Sequence, residues 1–136
     1  MSVWCRGVRG ATTATANTRE AILEATRDLL AHIIAANAME PDDVASAILT
    51  TTPDLDAEFP ALAARQLGWT HVALLCGHDM QVPGALTQCI RILIHWNTTK
   101  RADEIVHVYV RGAEVLRPER ALKTLEDQQA SRSPSD

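Results

Sequence analysis

Positive charge is not in excess in this chain. Thirteen lysines and arginines face seventeen aspartates and glutamates, giving a net charge of −4 and a pI of about 5.7. A general affinity for nucleic acid needs clustered positive charge, so that class of partner is excluded. A pocket for a small anion is not excluded, because it needs only a few local cations. Long apolar runs are also missing. No stretch approaches the ~20 apolar residues that a membrane-crossing helix requires, and the chain is expected to stay off membranes. The opening MSVWCRGVRGATT carries Arg6 and Arg9 and no apolar run, so it does not read as a secretory signal. Cysteine is sparse: Cys5, Cys76 and Cys89 are odd in number, widely spaced and without a CxxC pair. That excludes a disulfide framework and a cysteine zinc site, and points to reduced thiols in the cytoplasm. The five histidines show no HxH or HExxH spacing, so no metal site is expected.

What is present is ordinary globular material. Hydrophobic residues make up 46% of the 136 and charged residues 22%, enough for one domain with a core. At this size partners can complete part of the surface. Val3 to Ala11 reads as a strand. Asn17 and Glu20 have the spacing of a capping box. Ile22, Leu23, Leu29, Leu30, Ile33 and Ile34 then recur at helical spacing, predicting a long helix that ends near Asn37, ahead of Pro41. Val44 to Thr52 reads as a strand. Phe59 to Leu67 reads as a short helix with Pro60 in its first turn and Gly68 at its end. Further strands are expected at His71 to Cys76, Cys89 to Trp96 and Ile105 to Arg111, the last continuing through Glu114 to Leu116. Within CIRILIHW, Ile90, Ile92, Ile94 and Trp96 share one face, and Arg91, Leu93 and His95 share the other.

These elements predict an α+β fold: a five-stranded mixed sheet packed on one long helix, with a short second helix. One helix cannot cover both faces of such a sheet. The second face is expected to pack on a neighbouring subunit. Residues 1–118 form the predicted domain, and the polar end DQQASRSPSD marks 119–136 as a tail with too little apolar surface to fold.

Several residues could carry chemistry, and each has a bland reading. Arg91 interrupts an apolar strand, and a guanidinium cannot lose its charge, so it needs an anionic partner. That partner is either a ligand or an internal carboxylate. Arg6 and Arg9 lie an odd number of positions apart, on opposite faces of a strand, so one of them at most faces a site. The loop Cys76-Gly77-His78-Asp79-Met80 follows an apolar strand and is rich in functional groups. A thiol beside a histidine in sequence is weak grounds for a nucleophile. Tyr109 is the sole tyrosine, with packing as its simplest role. Leu116-Arg117-Pro118 adjoins the tail.

Taken together these segments carry more than each alone. RGVRGATT, TTPDLDAEFPALAARQLGW, CIRILIHWNT and VHVYVRGAEVLRP occur in this order. In order and wording they resemble the monofunctional chorismate mutases of the Bacillus type, from about Arg6 to Pro118 and almost without gaps. The resemblance implies a pseudo-barrel homotrimer with active sites between subunits, the isomerisation of chorismate to prephenate for phenylalanine and tyrosine synthesis in the shikimate pathway, and no cofactor.

It also implies site residues. Arg91 matches the arginine facing the ether oxygen of the substrate. Arg9 matches a carboxylate-binding arginine, with Tyr109 holding the same end. Phe59, Ala61 and Arg65 match a side contributed by the mid-chain helix. Leu74, Leu75 and Cys76 match a wall strand, and Met80 matches an apolar contact nearby. Leu116 and Arg117 match a C-terminal segment that closes over the cleft. Asp79 stands where the family usually has glutamate, one methylene longer, and should reach the substrate hydroxyl less well. Leu75 stands where threonine is frequent. Two rival readings share the size and pocket: a trimeric imine deaminase, disfavoured by RGVRGATT, and a non-catalytic metabolite-binding trimer.

Overall fold

A computed structural model describes residues 2–118; the expected tail at 119–136 lies outside the described residues. Strands β1 (Trp4–Thr13), β2 (Val44–Thr51), β3 (Ala73–His78), β4 (Cys89–Thr98) and β5 (Val108–Tyr109) form one sheet in the order β3-β2-β4-β1-β5. Strand β4 lies in the centre and runs antiparallel to β1 and β2, while β3 and β5 add in parallel at the two edges. Helix α1 (Arg19–Asn37) covers one face, and the short α2 (Ala61–Gln66) links β2 to β3. This is the predicted α+β architecture.

Alternation along the strands explains the packing. Val8, Leu49, Ile92 and Ile94 face α1 and meet Leu29, Leu30 and Ile33 in the main core. Gly10 sits where the helix comes closest. A Cβ there would stand 2.7 Å from Ile33 Cδ1 and 3.1 Å from the Val108 carbonyl oxygen, so only glycine lets α1 seat this near β1. Buried Trp69 packs into the same core after Gly68, at φ +100°, turns the chain out of α2.

Several boundaries differ from expectation. The cap of α1 is Thr18, whose hydroxyl accepts from the Ala21 amide. Asn17 is used elsewhere: its Oδ1 accepts from the amides of Asp56 and Ala57, both at 3.0 Å. Strand β1 continues to Thr13, two residues past the predicted end. Strand β3 starts and ends two residues late, because its parallel register with β2 runs from Ser46↔Ala73 to Thr51↔His78. The predicted strand over Ile105 to Arg111 shrinks to Val108–Tyr109, and Ala113–Leu116 is a 3₁₀ turn instead of a continuation. Side chains take the hydrogen bonds that a longer strand would have made. Buried Asn37 bonds both the amide and the carbonyl of Val106, and the Arg9 amide donates to His107 Nδ1.

Candidate active site

The sheet face turned away from α1 carries the site. Register sets its layout. Tyr109 pairs with Ala11, Ala11 with Arg91, and Arg91 with Thr50, so these four form one row across β5, β1, β4 and β2. The next row on the same face holds Arg9, Leu93, Ile48 and Leu75. Arg9 and Arg91 are thus diagonal neighbours on adjacent antiparallel strands, about 7–8 Å apart at the backbone. Ala11, small and fully buried, leaves the space between Tyr109 and Arg91. A cleft of about 450 Å³ opens here, lined among others by Arg9, Thr50, Arg91, Leu93, Tyr109 and Leu116. Arg6, as its odd spacing predicts, is not in it; its Nε donates to the Lys100 carbonyl.

Arg91 has an internal anion. Its Nε and Nη2 donate to the two oxygens of Asp79, at 2.9 and 2.7 Å, while the Thr50 hydroxyl donates to Asp79 Oδ2 at 2.9 Å. The fork geometry fixes the guanidinium plane. The Asp79 side chain is only 16% exposed, whereas that of Arg91 is 53% exposed. The aspartate is therefore built in, and the arginine reaches outward. Partial burial pushes the Asp79 carboxyl up, but the hydrogen bonds from Arg91 and Thr50 and the Arg91 charge outweigh it and hold it below its ordinary value of 3.8. The pairing therefore stabilises the fold above that pH and is lost only as pH falls through the lowered value. The same bond raises the Arg91 pKa further. Thr50 had no motif to reveal it; only the register brings it under the loop that carries Asp79.

The remaining candidates fall into two further places. Met80 and Leu116 join Asp79, Arg91 and Cys89 in a cleft of about 290 Å³ that adjoins the first. Phe59 and Cys76 line a separate cleft of about 390 Å³, together with Thr51, Glu58 and His78. Thr50 and Thr51 are successive residues of β2 and point to opposite faces, so the Phe59 cleft lies behind the sheet from the Arg91 cleft. Alternation also divides the wall strand. Leu75 is 64% exposed on the open face, while Leu74 and Cys76 pack against the main core. Ala61 is buried, and Arg65 and Arg117 are exposed.

The Cys76 thiol is not primed as a nucleophile. Burial pushes its pKa above the ordinary 9.0, and the Ala61 amide and Arg65 charge only partly oppose this. Burial likewise pushes Cys89 up to about 11. Cys76→Ser is accordingly expected to keep at least about half of the wild-type kcat, as steady-state kinetics would show; complete loss would point to a covalent role. Among the described residues no group of three His, Cys, Asp or Glu side chains could hold a metal ion. None of their helices is long and apolar enough to cross a membrane.

The geometry defines a class: an α+β protein whose open sheet face carries two arginines, a tyrosine and an ion-paired aspartate around one cleft. Comparison with known proteins narrows it. The chorismate mutase type I family pattern matches residues 5–120. Chorismate mutase AroH of Bacillus subtilis is 46% identical over 118 residues, covering 86% of this chain and 93% of that protein. Chorismate mutase AroH of Thermus thermophilus is 46% identical over 115 residues, covering 84% and 94%. A solved chorismate mutase from Clostridium thermocellum is 49% identical, with a TM-score of 0.79 over 80% of this chain and 97% of that one. The chain belongs to the chorismate mutase type I family.

Proposed function

We propose that this protein is an isomerase that converts chorismate to prephenate in the cytoplasm, as a step toward aromatic amino acids. The observation that carries the reading is the Arg9–Arg91–Tyr109 constellation on one sheet face of a chain in this family.

The reaction is an intramolecular Claisen rearrangement. An ether C–O bond breaks, a C–C bond forms and a double bond shifts; no proton moves. No general acid or base is therefore needed. Bond breaking runs ahead of bond making, so negative charge gathers on the ether oxygen in the transition state. A guanidinium aimed at that oxygen stabilises the transition state more than the ground state. Arg91 fits the role: it projects from the central strand, is permanently charged and has its plane held by Asp79. Arg9, one row away, suits a substrate carboxylate, with Tyr109 at the same end. Holding the open-chain substrate in its compact reactive shape contributes the second part of the acceleration. Asp79 is already committed to Arg91 and Thr50, so in this reading its first task is orientation and its contact with the substrate hydroxyl is secondary.

A homotrimer with sites between subunits follows from the same reading. Among the described residues the turn Ala113–Leu116 covers the open face only at Ala11, Cys89 and Tyr109; Leu75 on that face is 64% exposed, and Phe59, behind the sheet, is 69% exposed. The Arg91 and Phe59 clefts share no lining residue. A neighbouring subunit would unite residues that one subunit keeps apart.

The test is to incubate the purified protein with chorismate and separate the products by mass. An isomer of unchanged mass, formed without release of pyruvate, is expected. Tight binding with no product would instead support a metabolite sensor, and turnover of 2-aminoacrylate alone would support an imine deaminase.

A further inference from the structure

Arg111 takes no part in the chemistry above, yet it is held more firmly than an ordinary surface arginine. Its backbone has φ +53°, and Gly112 follows at φ +91°. A left-handed conformation is unfavourable for a residue with a side chain, so surrounding contacts must hold it. They do so from two sides. The Thr13 hydroxyl, at the end of β1, donates to the Arg111 carbonyl. Arg111 Nε lies 3.2 Å from Asp28 Oδ2 and its Nη2 lies 3.7 Å from Glu24 Oε1. Glu24 and Asp28 are one turn apart on α1, so both present their carboxylates to the same guanidinium. Arg111 and Asp28 side chains are each 32% exposed, which limits screening by water.

From this point the chain enters the turn Ala113–Leu116. Ala113 is buried against Ala11, Cys89 and Tyr109, and Leu116 lines the cleft beside Arg91. The direction in which Leu116 and Arg117 leave is therefore set by where residue 111 is fixed.

We propose that Arg111 is a positioning residue: its ion pairs with Glu24 and Asp28 fasten the turn that carries Leu116 and Arg117 at the mouth of the substrate cleft. The inference rests on the reaction proposed above. Fastening affects how well substrate is retained and leaves the transition-state contact of Arg91 intact, so its signature is a change in KM without a change in kcat.

Arg111→Gly is the informative variant, since glycine accepts the left-handed backbone while the side chain that makes the ion pairs is removed. It is expected to raise KM about five-fold with kcat within two-fold, the scale of one partly shielded ion pair. E24Q/D28N, which leaves residue 111 untouched, should raise KM to a similar extent. The triple variant should be no worse than either, because all three changes break one interaction. Unchanged KM in R111G and E24Q/D28N, a loss confined to kcat, or effects that multiply in the triple variant would overturn the proposal. Wild-type turnover in the same series tests the reaction separately. If the wild type binds chorismate without converting it, the reaction fails and the same comparison is read in the chorismate Kd by calorimetry. Absence of any chorismate binding would overturn both.

Discussion

Alanine at position 91 is expected to lower kcat by roughly 10³- to 10⁵-fold, the range for a cation that meets charge developing only in the transition state. That corresponds to about 4–7 kcal/mol of barrier. The size follows from what the reaction lacks: with no proton transfer and no covalent step, one electrostatic contact and the clamping of substrate supply most of the acceleration. KM should change far less than kcat, because the ether oxygen carries little charge in bound chorismate. The variant should fold. The Arg91 side chain is more than half exposed, and its removal leaves Asp79 with the Thr50 hydroxyl as a donor. Lysine at the same position should recover only part of the loss. It keeps the charge but cannot bond both Asp79 oxygens in a fixed plane. Stopped-flow and steady-state kinetics with matched circular dichroism spectra check both expectations. A variant that retains most of its kcat would remove Arg91 from the centre of the mechanism.

Arg9→Ala is expected to act on the other constant. A carboxylate is fully charged in substrate and transition state alike, so its partner contributes mainly uniform binding. Losing a charge-assisted hydrogen bond of about 1.5–3 kcal/mol should raise KM roughly 10- to 100-fold. A smaller fall in kcat, within about ten-fold, would reflect looser clamping of the reactive shape. The Arg9 side chain is exposed and its amide stays bonded to His107, so β1 should remain in register. An effect confined to kcat would contradict the assignment.

The contrast between Arg9 and Arg91 was partly legible in the sequence. Strict alternation in CIRILIHW placed Arg91 opposite Ile90, Ile92 and Ile94, and the sheet keeps that division. Odd spacing separated Arg6 from Arg9. The roles proposed for the two arginines come from the family resemblance, which alternation alone could not supply. What stayed hidden depends on contacts distant in sequence. Asp79 reaches Arg91 only because β3 and β4 flank β2 and the loop between them folds back over Thr50. The short β5 was also beyond reach: IVHVYVR has the composition of a longer strand, but Asn37, sixty-nine residues away, claims the backbone of Val106. The N-cap moved from Asn17 to Thr18 for a similar reason, since the carboxamide serves the chain at Asp56 and Ala57. Local propensity is a weak guide where a polar side chain has a long-range partner.

Division of the candidate residues between two faces has a physical reading too. Leu75 and Cys76 are neighbours in sequence and cannot both face one cavity from a regular strand. In the proposed trimer a second chain would approach β3 from the open side and bring the two sets of residues together. In one chain, Phe59 looks into a cleft that contains no arginine among its lining residues.

Loss of chorismate absorbance, followed side by side for the folded wild type and Arg91→Ala, tests the central claim most directly. The account predicts loss well above the uncatalysed rate for the wild type, falling to near that rate in the variant. Equal rates for the two proteins, or no loss above background with the wild type, would contradict it.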